Sequence, residues 1–286
     1  MALFRPVEGE VVRADLTSPL HTLTFPTLEL ILVTGLSWML IGWLDQPGMD
    51  TDPQLRNAVL LVWLLLAVWR FVPESLPAEK RTSGGMAPLM RAIGTLLRDR
   101  AYVGFTLGFI FSFSTMFAYV AASPFILQDH YGFTPVQFSF IFGTNTLGLF
   151  LMALTNARIV KRVGPLTLAK VGNIVLLLAT LYLVTVALLD ANRWFILVGL
   201  FVVVASMGIN FANNSALAIS RAGAVTGSAS AFMGSGQFIM AGVLSPLVGV
   251  AAAAGMSQPV AMTAVMVATA AIAALGIHSG ARQLTR

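Results

Sequence analysis

Long apolar runs alternate with short polar breaks along most of the chain. Most runs reach the ~20 residues that an α-helix needs to cross the hydrocarbon layer of a bilayer. They are continuously apolar and lack the period-two alternation of membrane-barrel strands. The pattern therefore predicts an all-α polytopic membrane protein with eight spans, at about residues 24–44, 57–73, 101–124, 136–156, 167–189, 194–216, 224–254 and 258–278.

The composition agrees with a chain that lies in lipid. Of its 286 residues, 57% are hydrophobic and only 10% are charged, whereas a soluble domain carries about 25% charged residues. The chain has no cysteine, which excludes disulfides, thiolate catalysis and thiolate metal sites. In a membrane protein, a net charge of +5 reflects basic residues on one side of the bilayer, so no nucleic-acid partner is expected.

Basic residues concentrate on one side of the predicted topology. Eight crossings place both termini on the same side, together with 15 of the 17 Lys and Arg residues; the exceptions are Arg56 and Arg193. By the positive-inside rule, this side and both termini are predicted to be cytoplasmic. The opposite loops carry acids instead: Asp45, Asp50, Asp52, Asp129 and Asp190.

The longest polar break sets the predicted domain organisation. It contains several Pro and Gly residues, followed from Leu89 to Arg100 by apolar positions at helical spacing with arginines between them. Such a segment is typical of an amphipathic helix on a membrane surface. The predicted parts are a cytoplasmic segment 1–23, two membrane helices in 24–73, a cytoplasmic linker 74–100 with this helix, and a six-helix bundle 101–286.

Catalytic and metal-binding patterns are not found in the sequence. Gly234-Ser235-Gly236 lacks the third glycine and the strand–helix context of a dinucleotide motif. The histidines His21, His130 and His278 are far apart and lie at span ends, an arrangement that does not suit a metal. We therefore expect no enzyme activity, no cofactor and no metal.

Amide side chains inside the spans are candidates for a substrate site. Asn145 and Gln237 lie near the centres of the fourth and seventh spans, and Asn210, Asn213 and Asn214 lie in the inner half of the sixth. Polar groups in lipid are costly, so each needs a partner or a role. Two interpretations stay open: these residues line a solute cavity, or they form interhelical hydrogen bonds worth ~0.6 kcal/mol on average.

The third and first spans add further candidates. Ser112, Met116 and Tyr119 recur at helical spacing and predict a mixed polar face for amphiphilic solutes, while most phenylalanines of the third span are expected to face lipid. Glu29 is the only acid within any predicted span. It is either a proton carrier or an interfacial carboxylate.

The seventh span carries small residues at every fourth position, at Gly223, Gly227, Ala231 and Ser235. This spacing predicts a ridge that allows another helix to approach closely. Pro246, further along the same span, predicts a kink.

Several segments resemble drug exporters of the major facilitator superfamily. Residues 69–77, Trp-Arg-Phe-Val-Pro-Glu-Ser-Leu-Pro, resemble the end of the sixth helix in its proton-coupled exporters. The remaining segments resemble the Bcr/CflA drug-resistance branch: its seventh helix and following loop at 117–128 and 131–135, its basic loop between helices eight and nine at 156–165, and its eleventh helix at 223–231 followed by Gln237.

The resemblance implies the major facilitator fold, with twelve helices in two six-helix halves. The chain would correspond to an N-terminally truncated member: a complete C-terminal six-helix bundle plus about two preceding helices. In such proteins helices seven, eight, ten and eleven line the cavity, which implies roles for Tyr119, Asn145, Asn210 and Gln237. The basic loop implies a gating role for Arg158, Lys161, Arg162 and Gly164.

The implied function is export of small hydrophobic or cationic drugs in exchange for protons. The expected partners are the drug-like substrate, protons and membrane lipid, and the expected location is the bacterial inner membrane. An alternative stays open: an inactive truncated remnant, or a structural half that needs a partner chain in place of a missing N-terminal half.

Overall fold

The computed structural model describes residues 58–63, 65–66 and 85–284. The chain divides into two compact units, Met1–Thr82 and Ser83–Arg286. The predicted segment 1–23, the first predicted span and Glu29 lie outside the described residues. Of the second predicted span, residues 58–63 and 65–66 are described and are helical.

The second unit is a succession of helices. Six of them, α2 to α7, are long and apolar enough to cross a membrane, which confirms the predicted all-α membrane fold. The helices are α1 (Met86–Arg98), α2 (Arg100–Pro124, continued by the π-helical segment Phe125–His130), α3 (Pro135–Val163), α4 (Pro165–Leu188), α5 (Arg193–Ile219), α6 (Thr226–Ala253, preceded by the short turn Gly223–Val225) and α7 (Gln258–Gln283).

Local signals at both ends explain the bounds of α3. Thr134 accepts a hydrogen bond from the backbone N–H of Gln137, and the Gln137 side chain accepts one from the backbone N–H of Thr134, so a capping box begins the helix. Gly164 ends it with a φ of +85°, a conformation that favours glycine. Pro165 then begins α4, as proline does at first helical positions.

The predicted spans 136–156 and 167–189 leave residues 157–166 as a loop, and this prediction is wrong in the length of the loop. α3 continues to Val163, so Arg158, Lys161 and Arg162 are helical and the connection to α4 consists of Gly164. Cations in the last turn of a helix are favoured by the partial negative charge of its carbonyl end. Arg158, Lys161 and Arg162 therefore form the last two turns of α3 and do not form a loop after it.

Two glycine pairs bring α2 and α7 into backbone contact. A Cβ added at Gly104 would lie 2.6 Å from the Gly276 carbonyl oxygen, and one added at Gly276 would lie 2.7 Å from the Gly104 carbonyl oxygen. Gly108 and Gly280 lie one turn further along each helix and are also enclosed. Both helices thus carry a Gly-xxx-Gly spacing at the same contact, the pattern that lets membrane helices approach most closely.

The small-residue ridge predicted on α6 contacts no helix in the described part of the chain. A Cβ added at Gly227 would meet no atom within 4 Å, and Ala231 and Ser235 are not buried. α6 runs through Pro246 without interruption. Among the described helices, close backbone approaches occur instead between α2 and α7 and, at Gly208, between α5 and α3, where an added Cβ would lie 2.6 Å from the Ala153 nitrogen.

Basic residues gather at one end of the bundle. We call this the basic end; α2, α4 and α6 begin there, and α3, α5 and α7 end there. Arg193, Asp129 and Asp190 lie at the opposite end. The charge asymmetry that predicts a cytoplasmic side thus persists in three dimensions, carried by Arg98, Arg100, Arg158, Lys161, Arg162, Lys170, Arg221 and Arg282.

An ion pair joins three elements at the basic end. Asp99 separates α1 from α2 and accepts hydrogen bonds from the backbone N–H groups of Ala101 (2.8 Å) and Tyr102 (3.2 Å). The Arg221 Nε, just beyond α5, donates to the same carboxylate at 2.9 Å. Burial by itself raises the pKa of Asp99, but the donors of Tyr102, Arg221 and Ala101 outweigh it, so this pKa lies below its ordinary value.

Replacing Asp99 by Asn should lower the melting temperature at pH 7 by a few degrees. A carboxylate with a lowered folded pKa adds stability above the unfolded pKa of ~3.9, and this contribution is lost as the pH falls through the folded pKa. The difference between wild type and Asp99→Asn should therefore narrow as the pH drops from 7 towards 3. Thermal unfolding in detergent measures it, with the exposed Asp129 as the control site; a difference that is constant with pH would contradict the ion-pair account.

Candidate functional site

Phenylalanines from three helices meet at mid-length of α2. The Phe113 ring lies 5.8 Å from Phe117, 6.0 Å from Phe211 of α5 and 5.3 Å from Phe238 of α6, measured between ring centroids. Phe109 contacts Phe211 at 6.3 Å. Phe238 is 61% exposed, so this aromatic cluster forms an accessible apolar surface.

Apart from the aromatic cluster, a group of polar residues is buried inside the bundle. Ser112, Asn173, Asn210 and Asn214, which we call the amide cluster, are each at most 1% exposed. Asn173 Nδ2 donates to Asn210 Oδ1 (3.2 Å) and Asn214 Oδ1 (3.1 Å), and Ser112 Oγ donates to Asn173 Oδ1 (3.0 Å). The cluster therefore links α2, α4 and α5 by hydrogen bonds between side chains.

Backbone groups complete the amide cluster. Asn173 Nδ2 also lies 2.8 Å from the Ala169 carbonyl, so its two N–H groups are shared among three acceptors. Asn210 Nδ2 donates to the Gly172 carbonyl at 3.2 Å. A Cβ at Gly172 would collide with Asn210 Oδ1. Glycine at this position therefore lets the two helices come close enough to bond.

Two further polar pairs connect α3 to its neighbours. Asn145 Nδ2 donates to the Tyr119 hydroxyl of α2 at 2.9 Å, and the Phe142 ring stacks on Tyr119 at 5.7 Å. Asn213 Nδ2 donates to Asn156 Oδ1 at 2.6 Å. Each pair is buried, so these amides hold helices together in this conformation.

The structure distributes the predicted site residues over these groups. Ser112, Asn210 and Asn214 join the amide cluster, whereas Asn213 faces α3 and bonds elsewhere. Met116 and Gln237 are partly exposed, and Gln237 is the chain neighbour of Phe238 in the aromatic cluster. The basic residues Arg158, Lys161 and Arg162 lie near the basic end, far along α3 from Asn145.

The sequence interpretation missed Asn173, Asn156 and the aromatic cluster. Asn173 is an amide in an otherwise apolar run, a signal of the same kind that pointed to Asn145. The 109, 113 and 117 positions of α2 recur every fourth residue and could have indicated an aromatic stripe. No local pattern connects this stripe to Phe211 or Phe238, because those contacts depend on tertiary packing.

Two helices leave most of their surface open within the described part of the chain. In an apolar 18-residue stretch of α3 and of α6, only 11% of the residues are buried, against 61% in α2 and in α5. The open face of α3 contains a groove of about 460 Å³ lined by Val136, Ser139, Phe140, Gly143, Thr144 and Leu147. Within the described residues, no group of His, Asp and Glu side chains is placed to hold a metal ion.

Comparison with known structures shows the fold. A crystal structure of the E. coli fucose:proton symporter FucP, determined on a point variant, superimposes with a TM-score of 0.60 at 15% identity, covering 89% of this chain and 65% of that chain. A FucP structure in the outward conformation gives a TM-score of 0.59, also at 15% identity, over 89% of this chain and 64% of that chain.

Sequence comparison identifies relatives and the family. A Bacillus subtilis (strain 168) protein named uncharacterized MFS-type transporter YdgK is 30% identical over 212 residues, 74% of this chain and 52% of that protein. The bicyclomycin resistance protein homolog of Haemophilus influenzae is 27% identical over 192 residues, 66% and 48% of the two chains. The chain thus spans about half the length of the curated relatives it matches. Residues 57–246 match the model of the Major Facilitator Superfamily, and the chain therefore belongs to that family of integral membrane proteins.

Proposed function

We propose that this chain forms the substrate-binding bundle of an exporter that moves small hydrophobic or cationic drugs in exchange for protons. The observation that carries the proposal is the aromatic cluster at mid-length of α2. Transporters of this architecture bind substrate near the bilayer midplane, and aromatic faces attract both apolar molecules and organic cations. The name of the Haemophilus influenzae relative, a bicyclomycin resistance protein homolog, supports a drug as substrate.

The elements that form the cluster also support the proposal. It is built from α2, α5 and α6, which correspond by resemblance to helices seven, ten and eleven of the drug exporters. The partly exposed Met116 and Gln237 belong to two of these helices, and Met adapts its shape to varied ligands. An apolar, adaptable surface with few charges suits a range of drugs better than one polar nutrient.

Binding of a lipophilic cationic dye tests the proposed substrate class. Ethidium titrated into the detergent-solubilised protein should bind, and Phe113→Leu should weaken the binding about tenfold because Phe113 contacts three other rings of the cluster. Phe195→Leu is the matched control, since Phe195 is 54% exposed near the other end of α5. If both variants lost the same ethidium affinity, or if neither lost any, the aromatic cluster would have no specific role in substrate binding.

The open faces of α3 and α6 favour a second candidate, a structural half that needs further helices. Small and hydroxyl-bearing residues lie on these exposed faces, including Gly227 and Gly242 of α6 and Ser139 of α3. Small and polar residues are typical of helix contacts, more than of lipid-facing surfaces. In this candidate the chain binds drugs, and transport requires a second bundle that closes the cavity.

Dye flux in proteoliposomes distinguishes the two candidates. Within the described spans no carboxylate lies away from the helix ends, and Asn and Gln cannot release a proton near neutral pH. We therefore expect ethidium binding but no flux driven by a pH gradient from the 286-residue chain by itself. Robust flux that Glu29→Gln abolishes would contradict this expectation and make Glu29 the proton carrier.

The basic residues near the end of α3 are proposed to act in gating. Arg158, Lys161 and Arg162 lie in the last two turns before the single-residue connection at Gly164. If they only anchored the helix to anionic lipid, each would contribute about 1 kcal/mol and be replaceable by another cation.

In a form of the protein that transports, Arg158→Ala should lower the efflux rate several-fold and leave membrane insertion normal. The gating proposal requires a specific arrangement at the end of α3, which the truncated side chain cannot maintain. Lys170→Ala is the control, an exposed cation of α4 near the same end. Unchanged efflux in Arg158→Ala would indicate that these residues only anchor α3 to anionic lipid.

A further inference from the structure

The backbone of α2 changes its conformation at Pro124, near the end of the bundle opposite the basic end. Proline has no N–H and cannot donate to the carbonyl four residues before it, which is that of Val120. The Ser123 hydroxyl donates to this carbonyl instead, at 3.0 Å. The chain then continues as the π-helical segment Phe125–His130. Helices bend at prolines and at π-helical turns, and π-helical turns are frequent at functional sites.

Wide backbone hydrogen bonds form the turn after the π-helical segment. The N–H of Tyr131 donates to the Ile126 carbonyl at 3.0 Å. The N–H of Phe133 donates to the Leu127 carbonyl at 2.9 Å. These bonds connect residues five and six positions apart, whereas the bonds of an α-helix connect residues four apart. A return of this segment to α-helix would therefore change the partners of both N–H groups and move the turn.

Arg193, the first residue of α5, contacts this turn from another helix. Its guanidinium carbon lies 5.1 Å from the centroid of the Phe133 ring and 5.6 Å from that of the Trp194 ring. Its Nη1 donates to the Tyr131 carbonyl at 3.3 Å. A planar guanidinium can stack on aromatic rings and donate to an oxygen in a fixed geometry, which an ammonium group does not reproduce. One side chain thus joins the end of α2 to the start of α5.

The position of Arg193 is unusual for a cation in this chain. Among the Lys and Arg residues that the structure describes, it alone lies at the end opposite the basic end. The positive-inside rule disfavours cations on that side. Its partners in the described part of the chain are two rings and one carbonyl, so an ion pair there does not account for the charge. The contacts with the turn give the cation a specific structural role.

We propose that Arg193 holds the π-helical end of α2 against the start of α5, and that this end moves about Pro124 when the contacts of Arg193 break. The part of α2 before Pro124 is fixed by the glycine contact with α7 and by the amide cluster, so the movement is confined to the segment that follows. The proposal concerns the end of the bundle away from the basic residues and does not depend on which molecule is transported.

Hydrogen–deuterium exchange of the full chain in detergent tests this role of Arg193. In Arg193→Ala, the amides of residues 125–133 should exchange about tenfold faster, because contacts with two rings and a carbonyl are lost. The amides in the rest of α2 should be unchanged. Tyr182→Phe is the matched control. The Tyr182 hydroxyl donates to the Phe195 carbonyl at 3.2 Å, so this variant removes a different contact with the first turn of α5 and should leave residues 125–133 unchanged.

Two further measurements keep the proposal testable if Arg193→Ala unfolds. Arg193→Lys keeps the charge without the planar group, so exchange at residues 125–133 should lie between that of the wild type and that of Arg193→Ala. The chain has no cysteine, so spin labels at Asp129→Cys and Leu188→Cys, both exposed positions, report where the end of α2 lies. The distribution of label distances should widen in both Arg193 variants.

Four results would each overturn the proposal. The first is exchange that becomes faster by the same factor along the whole chain, since this indicates general destabilisation. The second is an equal effect of Tyr182→Phe at residues 125–133. The third is full protection of these amides in Arg193→Lys, and the fourth is a distribution of label distances that the Arg193 variants do not change.

Discussion

Replacing Gly104 by Ala should destabilise the bundle by about 1–3 kcal/mol, the range for overpacking a well-packed interior. The new Cβ would lie 2.6 Å from both the Gly276 carbonyl oxygen and the Gly280 nitrogen. These are backbone atoms, so no side-chain rotation can relieve the collision. α2 and α7 must separate, and every contact between them weakens.

The control for this substitution is Gly242→Ala on α6. A Cβ at Gly242 would meet no atom within 4 Å, so only the intrinsic helix preference changes, and Ala is favoured over Gly by up to about 1 kcal/mol. Unfolding in mixed micelles of increasing SDS content gives the free energy of unfolding for both variants. If Gly104→Ala were as stable as Gly242→Ala, α2 and α7 would not be in backbone contact.

Replacing Asn173 by Leu should cost about 2 kcal/mol of stability, because a buried polar group left without a partner costs about 1–3 kcal/mol. The Ser112 hydroxyl would lose its acceptor, and the Asn210 and Asn214 carbonyls would lose a donor, all in places that water does not reach. Hydrogen bonds between membrane helices average only ~0.6 kcal/mol each, so the loss of several bonds together accounts for the expected size.

Thr185→Val is the matched control for Asn173→Leu on the same helix. Thr185 is exposed, and its hydroxyl donates to the Leu181 carbonyl of its own helix at 2.9 Å, so we expect a change below about 0.5 kcal/mol. Combining Asn173→Leu with Asn210→Leu should cost less than the sum of the two single changes, because they share a bond. Strict additivity would show that the amide cluster is not one network.

The sequence indicates which amide side chains are important, but not which groups they bond. The amides Asn145 and Asn210 stand out in the sequence because a polar group in an apolar run requires an explanation. Their partners do not stand out: the Tyr119 hydroxyl and Asn173 become relevant only once the helices are packed. Cavity lining and interhelical bonding therefore remained open interpretations, and the described conformation shows the bonds.

Glycine shows the same difference between local and non-local information. The α6 spacing of Gly223, Gly227, Ala231 and Ser235 looks like a contact ridge, yet it meets no neighbouring helix among the described residues. The glycines of α2 and α7 attract less notice in the sequence, and they form a backbone contact between these two helices. Spacing shows that a helix can approach another closely; it does not show which helix does so.

The six apolar spans after residue 100, their order and the charge asymmetry between the two ends all follow from the sequence, whereas the end of α3 at Val163 lies beyond the predicted end of its span at residue 156. Hydropathy acts within each apolar run, and capping and helix breaking act within a few residues, as at Thr134 and Gly164, so local sequence is sufficient to define which segments are spans. The aromatic cluster, the amide cluster and the pairing of Asp99 with Arg221, 122 positions apart, became visible only in the folded chain. Each joins residues that lie on different elements of the fold and far apart in the sequence. Because apolar surfaces in a membrane are solvated equally well by lipid, close packing and hydrogen bonding decide which helix faces meet.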